Sequence, residues 1–417
     1  MNVMVIGRGG REHALAWKLK QDGHHVFVAP GNAFMEGMTC VSINETDVEA
    51  LVQFAEETNI EWTIVGPESS LMAGVVDTFR AKGLNIFGPT KAAALLEGSK
   101  AFAKEVMMEA GIPTAAYEAF TDAESALSYI QKLRAPLVVK ADGLAAGKGV
   151  TVAFTVEEAE AAVRDIFTTD KFGQQSQVVI EEFLEGEEFS LMAFVSGERV
   201  IPMITSQDHK RAYDGDKGPN TGGMGAYSPM PHLSEDVYDE AVKTVLEPLA
   251  QTMVKRGTPF EGFLYAGLIL TSSGPKVIEF NARFGDPETE VILPNLKSPL
   301  LDVIQTVIRK EPYSIEWVDG YSMGVVIAAK GYPDRPVTGQ VLSGFDALPP
   351  DVLVFHAGTA QQDGQIVGSG GRLLVVTATK PTLLEAKTAV YEAIAQLDLP
   401  DTFHRTDIGS RAFTQII

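Results

Sequence analysis

LVVKADGLAAGKGVTVA, residues 137–153, sets how the middle of this 417-residue chain is read. An apolar run ends at Lys140, a glycine-rich turn follows through Gly149, and a second apolar run starts at Val150. That is strand, turn, strand. Glycine N–H groups approach phosphate oxygens closely because no Cβ stands in the way. Gly143, Gly147, Lys148 and Gly149, with Lys140 on the incoming strand, are therefore candidates for a phosphate-binding turn, with an ordinary hairpin as the alternative. A Walker A loop is excluded. Three residues separate Gly143 from Gly147, Gly149 follows Lys148 where Ser or Thr is needed, and a strand comes next in place of a helix.

Downstream, KVIEFNARFGDPE (276–288) is an apolar strand with Glu279, Asn281 and Arg283 at every second position. Alternation along a strand puts Ile278, Phe280, Ala282 and Phe284 on a core face and Val277, Glu279, Asn281 and Arg283 on the other. Taken alone this is equally a solvated polar face. With a phosphate turn upstream, Glu279 and Asn281 become hard oxygen ligands for Mg²⁺, which takes few protein oxygens and completes its shell with substrate phosphates. Arg283 can bind a carboxylate or phosphate with two parallel hydrogen bonds.

Between these stretches, VVIEEFLEGEEFS (178–190) sets carboxylates between two apolar strands, either an adenosine-binding connector or a charged turn. The polar segment 206–229 reads as one long loop, and long structured loops in compact domains are usually functional. His209 within it has no second histidine at metal spacing, so it is a substrate contact or a surface residue.

Towards the N-terminus, strands at 3–6, 26–29 and 62–65 alternate with helices over 11–20, 47–58 and 75–82. This rhythm predicts a parallel sheet, with ligands at the carboxyl ends of its strands, where Gly7, Gly31 and Gly66-Pro67 stand. Residues 91–118 read as helical, and 235–256 as one helix. The segment from about 323 reads as a small α+β unit.

A length of 417 residues implies two to four domains at roughly 100–200 residues each. The formal net charge of −21 argues against nucleic acid, which selects basic surfaces. The one cysteine, Cys40, rules out an internal disulfide, favours a cytoplasmic location, and is expected to pack. Met1–Ile6 carries no basic leader, and no apolar run approaches the ~20 residues of a membrane helix.

These segments together resemble the ATP-grasp ligases. More narrowly, "VIGRGGREHALAW", "LEGSKAFAK", "VVKADGLAAGKGV", "SQDHKR", "GPNTGGMGAYSP", "FNARFGDPE" and "DIGSRA" are similar to the phosphoribosylamine–glycine ligase family, and the likeness spans nearly the whole chain. The resemblance implies an α/β and α+β multidomain fold. It has an N-terminal parallel-sheet domain (1–100), an ATP-grasp domain (101–325) with a mobile lid at about 120–190, and a small C-terminal α+β domain (326–417). It implies ATP phosphates at Lys104, Lys140 and Lys148, an adenine connector at Glu181 and Phe183, and a ribose contact at Glu188. Glu279 and Asn281 match the ligands of Mg²⁺ or Mn²⁺. Asp208, Lys210 and Arg283 fall on the catalytic side, with Asn220, Asp286, Pro287 and Glu288 shaping the substrate pocket. Gly7, Gly9 and Gly10 would help hold the phosphoribosyl group, and Asn32, Gly66 and Pro67 would be further substrate contacts, while Phe34 and Met35 stand where the family is usually small and polar. The implied partners are ATP, glycine and phosphoribosylamine, with no nucleic acid or membrane, for a monomer or weak homodimer. Two other classes remain. A dinucleotide oxidoreductase is one, but Glu12 holds the third glycine position of G-x-G-x-x-G. A non-catalytic nucleotide sensor is the other.

Overall fold

Residues 1–32, 34–142, 149–168 and 177–414 are described in the computed structural model. The N-terminal rhythm folds as expected. Strands β1 (Asn2–Gly7), β2 (His25–Pro30), β3 (Thr39–Cys40), β4 (Trp62–Val65) and β5 (Ile86–Phe87) form one parallel sheet in the order β3-β2-β1-β4-β5. Helices α1 (Gly10–Gln21), α2 (Val48–Glu57), α3 (Glu68–Met72) and α4 (Val75–Ala81) connect them. Val3, Met4, Val5 and Ile6 are fully buried, as a strand covered on both faces requires. Cys40 lies exposed on the edge strand, contrary to the packing expectation, and its thiol donates to the Asn32 carbonyl at 3.2 Å.

Residues 91–118 are not one helix. The chain breaks between α5 (Leu95–Gly98) and α6 (Lys100–Ala110) at Ser99, whose extended backbone and side chain cap α6 at Phe102 N–H. Strands β6 (Tyr117–Phe120), β7 (Leu137–Ala141), β8 (Val150–Ala153) and β9 (Val178–Glu182) make an antiparallel sheet, ordered β6-β9-β7-β8. Helices α7 (Ala123–Leu133) and α8 (Val156–Thr168) cover it, and the unit has a core of its own around Ile130, Val139 and Val163.

The central sheet adds β10 (Glu187–Ser196) and β11 (Arg199–Pro202) to two later strands. Segment 206–229, expected as a loop, is built of four short strands: β12 (Gln207–Asp208), β13 (Arg211–Tyr213), β14 (Lys217–Asn220) and β15 (Gly225–Ser228). β15 pairs with a strand almost a hundred residues further on, so no local periodicity marks it. α9 (Glu235–Ala241) and α10 (Glu247–Lys255) are joined by a π-helical turn, Val242–Leu246, close to the single helix expected.

β16 (Glu261–Thr271) and β17 (Gly274–Asn281) complete the sheet β11-β10-β16-β17. The expected alternation along β17 fails at one residue. Glu279 pairs with Gly267 and Val277 with Leu268, so Ile278 is an extra residue, a β-bulge. Val277 consequently turns into the core at 0% exposure, while Ile278 is half-buried. Phe280, Ala282 and Phe284 are buried as expected.

Beyond α11 (Thr289–Ile292) and α12 (Leu300–Arg309), the C-terminal part forms β18 (Tyr321–Ala329), β19 (Val341–Leu342), β20 (Val352–His356), β21 (Thr359–Gln362), β22 (Gln365–Gly368), β23 (Arg372–Lys380) and α13 (Leu383–Ile394). Its main sheet runs β12-β15-β18-β23-β20, so 206–229 is stitched into the C-terminal unit. The segment after α13 fastens the β13–β14 hairpin. Arg405, 1% exposed at its side chain, bonds Asp407 at 2.7 and 2.8 Å, Asp216 at 2.9 Å and the Arg211 carbonyl at 3.1 Å. Arg405→Ala strands these acceptors, so we expect a loss of about 3 kcal/mol, read as a lower urea midpoint. An unchanged midpoint would mean that the network adds nothing to stability.

Candidate active site

A cavity of about 890 Å³ lies between these units, a size suited to small-molecule ligands. The bulged edge of β17 forms its floor. Glu279, Asn281 and Arg283 all line it, so the polar positions face a cavity. Glu279 is half-buried, and its carboxylate forms no ion pair with a described residue.

Two lysines converge from different elements. Lys140, at the end of β7, sits 2.9 Å from Glu181 Oε1 and donates to the Ile278 carbonyl at 3.1 Å. The bulge thus presents a carbonyl to a lysine. Lys104 on α6 lies 3.3 Å from the same Glu181 oxygen and donates to Thr114 Oγ1 at 2.8 Å. Burial and the neighbouring Lys140 cation lower the Lys104 ammonium to about 8, against the pull of Glu181. Both ammonium groups are buried beside one carboxylate. Val138, Val152, Met107, Leu184, Phe183 and Ile269 line an apolar stretch of the same wall.

The opposite wall comes from 206–229. Lys210 pairs with Glu188 at 2.9 Å. Burial works against its charge, but Glu188 and then Glu279 outweigh it and hold the ammonium well above its usual range. Asp208 is pushed well up towards its neutral form by burial and by the nearby Glu288 carboxyl, and its Oδ1 is buried without a partner among the described residues. Glu288, 2% exposed, accepts from Ser190 Oγ at 3.1 Å. Gly223 (φ +116°) permits this approach, since a Cβ there would lie 2.5 Å from the Pro287 ring and 2.7 Å from Asp208 Oδ1.

Models of the phosphoribosylglycinamide synthetase N domain, ATP-grasp (A) domain and C domain match residues 1–97, 98–289 and 322–411. The chain belongs to the phosphoribosylglycinamide synthetase family. It is an ATP-dependent ligase of de novo purine biosynthesis, which removes the oxidoreductase alternative. It is 53% identical to phosphoribosylamine–glycine ligase of Halalkalibacterium halodurans, over 100% of this chain and 98% of that one. It is 51% identical to that of Listeria innocua, over 99% and 100%. The solved phosphoribosylamine–glycine ligase of Thermotoga maritima superposes with a TM-score of 0.88 at 35% identity, covering 98% of this chain and 100% of that one. The biotin carboxylase domain of the Hydrogenobacter thermophilus 2-oxoglutarate carboxylase, solved with MgADP, shares the fold at TM-score 0.72 and 19% identity, over 96% and 91%.

Within this synthetase fold the expected residues divide. Lys104, Lys140, Gly149, Glu181, Phe183, Glu188, Asp208, Lys210, Asn220, Glu279, Asn281, Arg283, Asp286 and Glu288 surround the cavity. Gly143, Gly147 and Lys148 lie outside the described residues. Gly7, Gly9, Gly10, Asn32, Gly66, Pro67 and Pro287 do not line the cavity wall, although Arg11 and Glu68 beside them do. The Gly9 N–H is taken by Glu12 Oε2 at 2.7 Å. A Cβ on Gly7 would meet Glu12 Cγ at 2.4 Å, so this glycine makes room for a carboxylate. Asn32 spends its amide nitrogen on the Arg8 and His356 carbonyls, both at 3.0 Å. Phe34 and Met35, the departures from the family pattern, pack elsewhere: Phe34 against the His356 ring at 4.7 Å, and Met35 in the core.

His209 is a correction. It is 1% exposed, accepts from Gly409 N–H at Nε2 (3.2 Å), and so carries its proton on Nδ1 towards the Gly225 carbonyl at 3.3 Å. Burial and Arg405 lower it to about 3, so it is a neutral structural link. Reading the sequence also missed the cavity arginines Arg11, Arg211, Arg372 and Arg411. Arg372 opens β23 and clamps Asp286 Oδ1 at 3.0 Å and the Gly222 carbonyl at 2.8 Å. Arg411, in "DIGSRA", reaches Asp216. The sequence signals were slight: a charged residue at the mouth of an apolar strand (Arg372) and a short motif without an assigned role (Arg411).

Proposed function

We propose that this chain joins glycine to phosphoribosylamine with ATP, giving glycinamide ribonucleotide, ADP and phosphate by way of glycyl phosphate. The observation that carries the reading is the meeting, around one cavity, of the Lys104–Lys140 pair, the Glu279–Asn281 edge and the Asp208–Lys210–Glu288 wall, in a chain of this family.

In this reading Lys104 and Lys140 bind the ATP phosphates together with Lys148 and the glycines 143, 147 and 149. The apolar wall takes the adenine beside Phe183, Glu188 accepts from the ribose, and Glu181 fixes the two lysines. Glu279 and Asn281 hold Mg²⁺ or Mn²⁺. The donor set fits such an ion: two hard oxygens from alternate positions of one strand, in a cavity where, among the described residues, no cluster of three or more acidic, His or Cys side chains forms a closed cage. When bound, the ion neutralises phosphate charge. A glycine carboxylate oxygen attacks the γ-phosphorus and ADP leaves. The sugar amine then attacks the glycyl carbonyl carbon and phosphate leaves. Arg283 and Lys210 orient the anionic groups, and the Glu288 carboxylate beside Asp208 is the proton acceptor offered to the attacking amine. No protein nucleophile is needed; positioning and charge do the catalysis. Asn220, Asp286 and Pro287 shape the substrate side. The phosphoribosyl end is assigned to Gly7, Gly9 and Gly10, where a phosphate would have to displace Glu12 from the Gly9 amide, with Asn32, Gly66 and Pro67 as further substrate contacts.

The domains are taken as 1–100, 101–325 and 326–417. Residues at about 120–190 act as the mobile lid, a reading supported by their separate core. A cytoplasmic monomer or weak homodimer without nucleic acid is supported by the acidic charge and lone cysteine, and no helix among the described residues is long and apolar enough to cross a membrane. The test mixes enzyme, Mg-ATP and phosphoribosylamine with and without glycine. ADP should form only with glycine, in step with glycinamide ribonucleotide. AMP and pyrophosphate would overturn the acyl phosphate, and indifference to glycine would overturn the substrate.

A further inference from the structure

Glu97 stands on the short helix α5, far in sequence from β17, yet its carboxylate is spent on three successive residues at the end of that strand. Oε2 accepts the Ala282 N–H at 2.8 Å, and Oε1 pairs with Arg283 Nη2 at 2.9 Å. Asn281 makes the third contact. Only one orientation of its amide sets a donor against acceptors. In it the nitrogen donates to Glu97 Oε1 at 3.2 Å and to the Phe280 carbonyl at 3.3 Å. The amide oxygen is thereby turned away from Glu97. The Glu97 side chain is 9% exposed and lines the cavity.

We infer that Glu97 is a positioning residue for the metal edge of the site. It holds the Asn281 amide with its oxygen free for a cation and the Arg283 guanidinium beside it, and it is the reason residue 281 is Asn and not Asp. The inference rests on Glu279 and Asn281 being the metal ligands. An aspartate at 281 would set two half-buried carboxylates against each other, one of which would have to take a proton or swing away. The amide satisfies Glu97 with its nitrogen and still offers an oxygen. A residue behind a metal ligand fixes its orientation and so tunes affinity.

The experiment measures Mn²⁺ binding to the enzyme–ADP complex by electron paramagnetic resonance, with metal-free ADP affinity and the thermal midpoint as controls. Glu97→Gln should weaken Mn²⁺ by about 10–100-fold while leaving metal-free ADP affinity unchanged. Glu97→Asp keeps the charge but withdraws it by one methylene. It should show the same loss, and it serves if the glutamine variant does not fold. Asn281→Asp should also weaken Mn²⁺, and the double variant Glu97→Gln/Asn281→Asp should recover most of it, because a glutamine amide in place of Glu97 can donate to the new carboxylate. Wild-type Mn²⁺ affinity in either Glu97 variant, with Glu279→Gln impaired, overturns the inference and leaves the metal edge standing. Wild-type affinity in Glu279→Gln as well overturns the metal edge itself. A double variant no better than Asn281→Asp overturns the account of why residue 281 is Asn.

Discussion

Glu279→Gln should keep the fold and lose about 10²–10³-fold in kcat, or about 2.7–4 kcal/mol of transition-state stabilisation. Glutamine copies the shape of glutamate and removes one negative ligand. Glu279 is half-buried and forms no ion pair with a described residue, so the change strands no partner, and the thermal midpoint should move little. The charge it takes away is the one that would hold a divalent cation against the phosphates. It also faces Lys210, whose raised ammonium owes part of its shift to Glu279. The defect should deepen at limiting Mg²⁺ and ease in part at high Mg²⁺. Turnover near wild type at limiting Mg²⁺ would remove Glu279 from the metal edge.

Lys140→Ala should cost about 10²-fold in kcat/KM for ATP, or about 2.7 kcal/mol. The change removes a buried cation from the cavity wall and takes a donor from the Ile278 carbonyl. It has a second, more diagnostic consequence. Lys140 is one of the charges that lower Lys104 to about 8. In the free enzyme Lys104 loses its charge as pH rises through about 8, so nucleotide affinity should fall above that pH. Bound phosphates should restore the charge, and binding near pH 8 should take up protons. Without Lys140 the like charge is gone, Glu181 is left to Lys104 alone, and the Lys104 ammonium should titrate at higher pH. The alkaline limb of the ATP-affinity profile should therefore move to higher pH even as overall affinity drops. Calorimetry in two buffers of different ionisation enthalpy checks the proton uptake. A fixed alkaline limb would separate Lys104 from the phosphates.

Features that depend on neighbours along the chain could be read from the residues alone. The alternation of apolar strands and amphipathic helices over the first 90 residues specified the parallel sheet, because each unit buries its own face. The glycine-rich turn between two apolar runs specified a hairpin connection, seen in the pairing of β7 with β8. The every-second-residue pattern grouped Glu279, Asn281 and Arg283 on one strand face, and all three line the cavity. Features that need a distant partner came only with the folded chain. The bulge at Ile278 comes from how β17 registers against β16, which no single-strand periodicity carries, and it aims a carbonyl at Lys140. The four strands within 206–229 exist because β18 and the C-terminal segment supply hydrogen bonds and ion pairs to them, so their own sequence reads as loop. Arg372 and Arg411 reach the cavity only because the C-terminal sheet closes over it. Glu97 is the sharpest case: in the sequence it is one acidic residue in a helix, and only the packing of α5 against the end of β17 gives it Asn281, Ala282 and Arg283 as partners from the far side of the ATP-grasp domain sequence.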